Sequence, residues 1–381
     1  MNILVVSMYG LYGDLTASFI HNQAKAYAAL GHRVRVLILV PLGKKQPNGQ
    51  AVTPFLQRTE TDGVELFYLR FLSLSNFGKR HFNAPSATCA LAPHLSILTK
   101  EFRPDVIHAH TFGLDEVVGA WLKERLACPL VLTTHGETLC ENFWKQNKPL
   151  IKPRADKADT VVCVSSLLKR DMEQAGVSAP LDIILNGFNV HAAAKNPEKP
   201  PVSLIQAGFL VPRKKADVTI RAFADLKRRY PEATLSIVGS GSEQQRLEAL
   251  SRELAVDDRV CFHGFLPNRE TLAQMAKARF FVMPSVDEGF GIVYLEAMAN
   301  GCIAIGTEGE GIADLIVSGE NGFLVPPDDP GAIVAVIEWC IQHPEEAAAI
   351  AERGRQDAVG LTWERNAGQY IALFQALQKK I

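Results

Sequence analysis

The sequence predicts an α/β protein made of two doubly wound, Rossmann-like domains, each a parallel sheet flanked by helices. Three observations predict it. Strand-like and helix-like segments alternate in two successive rounds. The strand candidates are near-continuous Val, Ile and Leu runs, which suit parallel strands covered on both faces. Between the rounds, His191–Pro201 (HAAAKNPEKPP) is proline-bearing and poor in apolar character, as a linker is. The reading is a first domain over 1–190 and a second over 200–362, and the length of 381 residues suits two to three domains.

In the first round, Ile3–Ser7 reads as a buried strand. Thr16–Leu30 has helical spacing and stops at Gly31, and Arg33–Val40 is the next strand. Val64–Leu69, Asp105–His110, Leu130–Thr134 and Thr160–Val164 follow as strands. The second round gives Ser203–Ala207, Thr234–Val238, Arg259–Phe262, Phe280–Pro284 and Cys302–Gly306. A turn is expected at Pro284-Ser285, then a helix over Ile292–Asn300 with Gly301 as its stop. Near the end, Trp363, Ala367, Tyr370, Ile371, Phe374 and Leu377 form one helical stripe that must bury against something.

Apolar content of 47% and charged content of 21% are those of a soluble globular protein with a sizeable core. A formal net charge of −1 argues against a general nucleic-acid binder. Residues 1–190 carry 20 Lys and Arg against 16 Asp and Glu, a surplus of +4, while the remainder is at −5. The seven cysteines form no C-x-x-C pair, and several, such as Cys163 and Cys261, sit in apolar runs. They read as buried free thiols in a reducing compartment. The N-terminus MNILVVSMYG lacks the basic region of a signal peptide, and no apolar run approaches the roughly 18 residues of a spanning helix. The expectation is a cytoplasmic protein, at most peripheral at the inner membrane face.

The chemistry concentrates in residues 287–296, DEGFGIVYLE. A strand, a glycine-bearing loop and a helix place backbone N–H groups at the carboxyl edge of a sheet, where phosphates and sugars bind. Glu288 and Glu296 flank that loop and can accept hydrogen bonds from vicinal hydroxyls. Earlier, Gly10 and Gly13 lie in the loop after the first strand and would let backbone approach a phosphate; an ordinary tight turn is the alternative. His108 and His110 share a strand face, and with His135 they could form a metal site. The competing reading keeps His108 as a satisfied core histidine and gives His110, nearer the carboxyl end, to a ligand. Arg213, Lys214 and Lys215 could neutralise a leaving diphosphate, or could simply be a solvated cluster at a helix start.

The E-x7-E pattern with EGFG at its first glutamate resembles the donor-site signature of glycosyltransferase family 4, retaining enzymes of GT-B fold whose two domains face across a cleft. The resemblance covers nearly the whole chain and is densest over Ser203–Pro327. It implies that Glu296 holds ribose hydroxyls and Glu288 the sugar hydroxyls. Backbone N–H groups of Gly289, Phe290 and Gly291 would meet sugar and diphosphate. Lys214 matches the family lysine that stabilises the leaving diphosphate. Phe209 replaces the family arginine and Lys215 the family glycine, so Arg213 is the candidate replacement cation. Val238-Gly-Ser-Gly241 resembles the "VGxG" strand end, whose Gly239 would allow close approach to the nucleotide. Phe262-His-Gly-Phe-Leu266 resembles the element whose backbone after the glycine, at Phe265, contacts the base. Leu185-Asn-Gly-Phe-Asn189 resembles "NGVD" with Asn189 for the aspartate. Glu310-Gly-Ile-Ala-Asp-Leu-Ile316 and Asn321-Gly-Phe-Leu-Val-Pro326 match the C-terminal portion. In the first half, His110 would lie near the transferred sugar, and Thr133-Thr-His-Gly-Glu137 matches the "HG" element, giving His135 and Glu137 to the acceptor side. The last helix, about 363–381, would pack back on the first domain.

The resemblance therefore implies an enzyme that moves a sugar from a nucleotide-diphosphate sugar to a glycan, lipid-linked or small-molecule acceptor. No metal or other cofactor is expected. A sugar-nucleotide epimerase or hydrolase of the same fold, or a non-catalytic glycan-binding scaffold, stays open on the sequence. Two basic and aromatic segments, Phe77–Phe82 and Phe143–Arg154, could contact a membrane or an anionic acceptor, or be a solvated face.

Overall fold

The computed structural model describes residues 1–8, 18–42, 55–73, 80–136, 149–189 and 199–379. Gly10, Gly13 and Glu137 lie outside the described residues, as do Phe77, Phe143, Trp144, Lys145, Lys148 and most of the linker. The chain divides into two units, Met1–Gly187 with Trp363–Ile381, and Phe188–Thr362.

The first unit holds an eight-stranded sheet. Its strands are β1 (Asn2–Ser7), β2 (Arg33–Pro41), β3 (Leu56–Thr61), β4 (Val64–Phe71), β5 (Val106–His110), β6 (Leu130–Thr134), β7 (Thr160–Cys163) and β8 (Leu181–Ile183), in the spatial order β3-β4-β2-β1-β5-β6-β7-β8. β3 runs antiparallel to β4 and the other pairings are parallel. Helices α1 (Ser18–Ala29), α2 (Arg80–Leu91), α3 (Leu95–Thr99), α4 (Leu114–Leu126), α5 over 149–155, and α6 (Ser166–Gln174) connect them. Ile3 to Val6 and Val36 to Leu39 are all but fully buried, as strands covered on both faces must be.

The last helix, Trp363–Gln378, belongs to this unit. Its stripe of Trp363, Ala367, Tyr370, Ile371, Phe374 and Leu377 is buried. Polar bonds accompany the packing. Asn366 Oδ1 accepts from Gln23 Nε2 at 2.7 Å, and the Tyr370 hydroxyl shares a 2.9 Å bond with Thr133 Oγ1.

The second unit is a six-stranded, all-parallel sheet ordered β11-β10-β9-β12-β13-β14. The strands are β9 (Ser203–Ala207), β10 (Thr234–Val238), β11 (Val260–Gly264), β12 (Phe280–Val282), β13 (Ile303–Thr307) and β14 (Phe323–Val325). The helices are α7 (Ala216–Arg229), α8 (Gln244–Glu253), α9 (Asn268–Met275), α10 (Ile292–Ala299), α11 (Pro330–Gln342) and α12 (Pro344–Val359), which makes Trp363–Gln378 α13. α10 ends as expected. Gly301, at φ +71°, donates to Met298 O, and Cys302 N reaches Ala297 O at 3.0 Å, so the last carbonyls are satisfied.

Chain order within this sheet reverses beside β9. The chain builds outward through β10 and β11, then returns to lay β12 on the other side of β9, where Leu204 and Ile205 pair Phe280 and Phe281. Loops leaving β9 and β12 therefore border one crevice at the carboxyl edge, the switch point of such sheets.

Three strands escaped the sequence reading. β3 is polar and mostly solvent-facing, and β8 and β14 are only three residues long. Cys261 corrects the thiol reading: it is exposed, whereas Cys128, Cys163, Cys302 and Cys340 are buried. Burial, reinforced by Asp105 and Asp159, pushes the Cys128 thiol up to about 12, so it stays protonated. Among the described residues, no helix is long and apolar enough to cross a membrane.

Candidate active site

Five loops of the second unit leave the carboxyl ends of β9 to β13, and backbone contacts lock them together. After β9, the chain turns through Pro212–Lys214. Gln206 Nε2 donates to Lys214 O at 2.8 Å, and Val286 N, after β12, donates to Arg213 O at 2.8 Å. The two switch-point loops are thus tied at the residues that carry charge.

Glu288 is the centre of this arrangement. Its Oε2 accepts from Lys214 Nζ at 2.5 Å and from Arg213 Nη1 at 2.9 Å. The carboxylate is buried and Lys214 is nearly so, while Arg213 is about half exposed. Burial by itself would raise the Glu288 carboxyl; the two cations overcome it and hold the group below its ordinary value. Lys214 Nζ also lies 3.7 Å from Met283 Sδ. Lys215 takes no part: it pairs with Asp328 Oδ1 at 2.7 Å and precedes α7 in a left-handed conformation. The cation cluster therefore splits, with two members at Glu288 and one as a surface ion pair. Phe209 is about half exposed, and Arg213 supplies the second cation beside Glu288.

The remaining second-unit candidates are placed as follows. Gly289 and the buried Phe290 lead to Gly291, which caps α10 at φ +82°. Glu296 lies just over one turn along α10, where its Oε1 accepts from Asn268 Nδ2 at 2.8 Å, and burial raises its carboxyl. It shares no hydrogen-bond partner with Glu288. Phe265, after β11, is about half exposed. Gly239 has a structural requirement of its own. A Cβ there would stand 1.9 Å from Gly208 O, and its N–H donates to Gly264 O at 2.7 Å. Packing against protein backbone already requires glycine at this position.

Two residues given no site role from the sequence support the loop. Glu310, after β13, accepts the Glu288 N–H at 2.8 Å. Tyr294, fully buried on α10, donates to Met283 O and fixes the helix against the end of β12. The signal for Glu310 was present, as a second acid-and-glycine step (EGEG) after the β13 strand.

In the first unit, β5 presents His108 and His110 on one face, their rings 4.2 Å apart. His108 is fully satisfied: Nδ1 meets the Tyr27 hydroxyl at 3.2 Å and Nε2 meets Thr133 Oγ1 at 2.8 Å. With both nitrogens engaged it is a core histidine, and the three-imidazole metal reading loses a ligand. No group of three or more metal-binding side chains occurs among the described residues. His110 Nδ1 pairs with His135 Nε2 at 3.0 Å, and the two rings stack. His110 Nε2 is buried with no protein partner among the described residues. Burial, then the neighbouring imidazoles, holds His110 well below the ordinary value, and burial holds His135 at about 3. Both are neutral at physiological pH and suited to hydrogen bonding with a hydroxyl.

In the Phe143–Arg154 segment, Lys152 bonds Asp156 Oδ2 and Ser178 Oγ, each at 2.6 Å, and Arg154 lies 3.4 Å from the buried Glu116. These two cations are engaged within the protein. A groove of about 570 Å³ opens where β9 to β11 begin, lined by Ser203, Thr234, Ser236, Cys261, His263 and Lys277 among others. It contains none of the candidate residues, and strand topology locates the chemistry better.

Residues 189–357 match the family described as Glycosyl transferases group 1, and residues 16–192 match Glycosyltransferase Family 4. A GDP-mannose-dependent alpha-(1-6)-phosphatidylinositol monomannoside mannosyltransferase of Mycolicibacterium smegmatis is 30% identical over 264 residues, covering 64% of this chain and 69% of that protein. A glycogen synthase of Mycobacterium tuberculosis is 27% identical over 88% of this chain and 84% of its own length. Among solved structures, sucrose-phosphate synthase from Thermosynechococcus elongatus superposes with a TM-score of 0.80 at 22% identity over the whole of both chains. Anabaena HepE, in complex with UDP and glucose, gives 0.75 at 20% identity over 99% of this chain and 100% of that one. These structures share the GT-B fold. The chain belongs to glycosyltransferase family 4, enzymes of GT-B fold that transfer sugars.

Proposed function

We propose that the chain is a retaining, metal-independent hexosyltransferase that takes its sugar from a nucleotide-diphosphate sugar and works in glycan or glycolipid synthesis. The observation that carries the reading is Glu288 held between Lys214 and Arg213 at the switch point of the second sheet. A leaving diphosphate needs positive charge where the bond breaks. Lys214 and Arg213 supply it, with the N-terminus of α10, so no divalent ion is required. Glu288 then orients the sugar through its hydroxyls, and Glu296, beside Asn268, takes the ribose. No residue at Glu288 serves as a free nucleophile, because its carboxylate is committed to two cations. Front-face transfer fits, with a departing phosphate oxygen assisting deprotonation of the acceptor. His110 and His135 contribute neutral hydrogen bonding to sugar and acceptor hydroxyls.

The acceptor is proposed to be anionic or lipid-linked, at the inner face of a membrane. The surplus of basic residues in 1–190 supports this, as does the phosphatidylinositol mannoside named in the Mycolicibacterium relative. The donor base is open: that relative is named for GDP-mannose, whereas HepE was solved with UDP. Thermal-shift titration with UDP, GDP, ADP and their sugars tests the donor site, because binding to the folded state raises its stability. One nucleotide should raise Tm in the wild type, and Glu296→Ala should weaken that binding by about 1–3 kcal/mol through lost ribose bonds. If no nucleotide shifts Tm, or Glu296→Ala binds as well as wild type, the donor assignment fails.

A further inference from the structure

We infer that Glu310 is a positioning residue: a built-in anion that occupies the backbone amide of Glu288 and so aims the Glu288 carboxylate at Lys214 and Arg213. The inference rests on the donor-site reading above. Glu310 accepts the Glu288 N–H at 2.8 Å. Gly311 N, in turn, donates to Glu288 O at 3.1 Å. The Glu288 residue is therefore gripped on its N–H by Glu310 and on its carbonyl by Gly311. Only its side chain is left to choose a direction, and it points to the cations.

The seat is tight. A Cβ on Gly311 would lie 2.0 Å from Gly289 O and 2.9 Å from Glu288 O, so segment 310–311 lies directly on the loop. Asp287 sits at φ +54°, in the left-handed region that non-glycine residues avoid. Consecutive N–H groups turned toward one side in such a conformation form an anion-binding concavity. Glu310 fills it from within the protein, although burial and the neighbouring Asp287 and Glu288 carboxylates raise its own carboxyl. A charged group placed against that opposition is explained by what it holds. With that amide occupied, a donor diphosphate is directed to Lys214, Arg213 and the amides of Gly289 to Gly291 instead.

The test is chemical rescue. Release of UDP, GDP or ADP from UDP-glucose, GDP-mannose or ADP-glucose is followed with whichever donor the wild type turns over. Glu310→Ala should lower kcat about ten- to hundredfold, the range for lost hydrogen bonds to a charged group, with a smaller change in KM. Millimolar formate, a free carboxylate small enough for the vacated seat, should restore part of kcat. Glu310→Gln, which keeps one acceptor oxygen, should lie between Ala and wild type. A kcat for Glu310→Ala within about twofold of wild type would overturn the inference. So would a loss that neither formate nor Gln relieves, since a merely structural role predicts that result. If the wild type turns over none of these donors and binds no nucleotide, the donor-site reading itself fails, a separate outcome.

Discussion

In the second unit one carboxylate, Glu288, is buried between two cations. In the first, His108 and His110 are buried among hydroxyls and rings: His108 bonds the Tyr27 and Thr133 hydroxyls, and His110 bonds the His135 ring. Both sets sit at or near the carboxyl end of a parallel strand, yet burial acts on them oppositely. Glu288 stays ionised because Lys214 and Arg213 offset its desolvation. Burial drives the histidines neutral, His108 and His135 to about 3. The same architecture thus stations charge where a diphosphate would depart and uncharged polarity where hydroxyls would be recognised.

The largest expected effect breaks the charged side. Lys214→Ala should cost about 10²–10³ in kcat, the scale for removing one group that stabilises developing negative charge. Lys215→Ala should be nearly silent, because Lys215 is tied to Asp328. Wild-type activity should survive exhaustive EDTA treatment. Activity abolished by EDTA and restored by one divalent ion, with Lys214→Ala unaffected, would move the positive charge from the lysine to a metal.

A smaller effect separates the two regions by pH. The histidines have folded pKa values below the unfolded 6.5, so their contribution is complete above pH 6.5 and is lost as pH falls below it. Each costs up to about 1.4 kcal/mol per pH unit over that descent. Glu288 is lowered from 4.5, so its contribution is present above pH 4.5 and fades only below. Tm measured between pH 7.5 and 5 should therefore fall with a slope that His135→Gln flattens and Glu288→Gln leaves alone. An unchanged slope in His135→Gln would mean the imidazoles are already charged in the fold.

The smallest effect concerns the basic surplus of the first half. Exposed lysines near an anionic bilayer contribute about 1 kcal/mol each, screened by salt. Co-sedimentation with anionic liposomes at low and high salt should show salt-sensitive binding. Lys145→Glu with Lys148→Glu should remove it, whereas Lys152→Glu should matter less because Lys152 is held by Asp156 and Ser178. Binding that ignores salt and both lysines would reduce the segment to a solvated face.

What the sequence disclosed follows from how strongly each residue's surroundings constrain it. Leu130–Thr134, Ser203–Ala207 and Thr234–Val238 matched the observed strands residue for residue, because parallel strands covered on both faces are rich in Val, Ile and Leu. β3 was missed because an antiparallel edge strand answers to solvent on one side. Its hairpin was still legible in Asp62-Gly63, both at positive φ, a two-residue turn that the reading overlooked. At the site, Glu288 and Lys214 were recognisable from the loops that carry them. Their direct pairing was not, since it spans 74 residues of sequence. Gly239 was picked for a sound reason, close approach, but sequence could not say that the approaching group is Gly208 O. His110's place nearer the carboxyl end of the strand set it apart from His108 in the sequence, and the partners Tyr27 and Thr133 show why His108 is the core histidine.

The placement of α13 has a consequence for how the protein is made. Tyr370 joins Thr133 across 237 residues, and Asn366 joins Gln23 across 343. At roughly 5–20 residues per second on the ribosome, Thr133 and His108 wait about 12–50 s for the helix that covers them. The whole of Phe188–Thr362 is synthesised in between. The unit that begins first is therefore finished last. A nonsense codon shortly before Trp363 would leave Phe188–Thr362 able to complete itself while stripping the covering helix from His108.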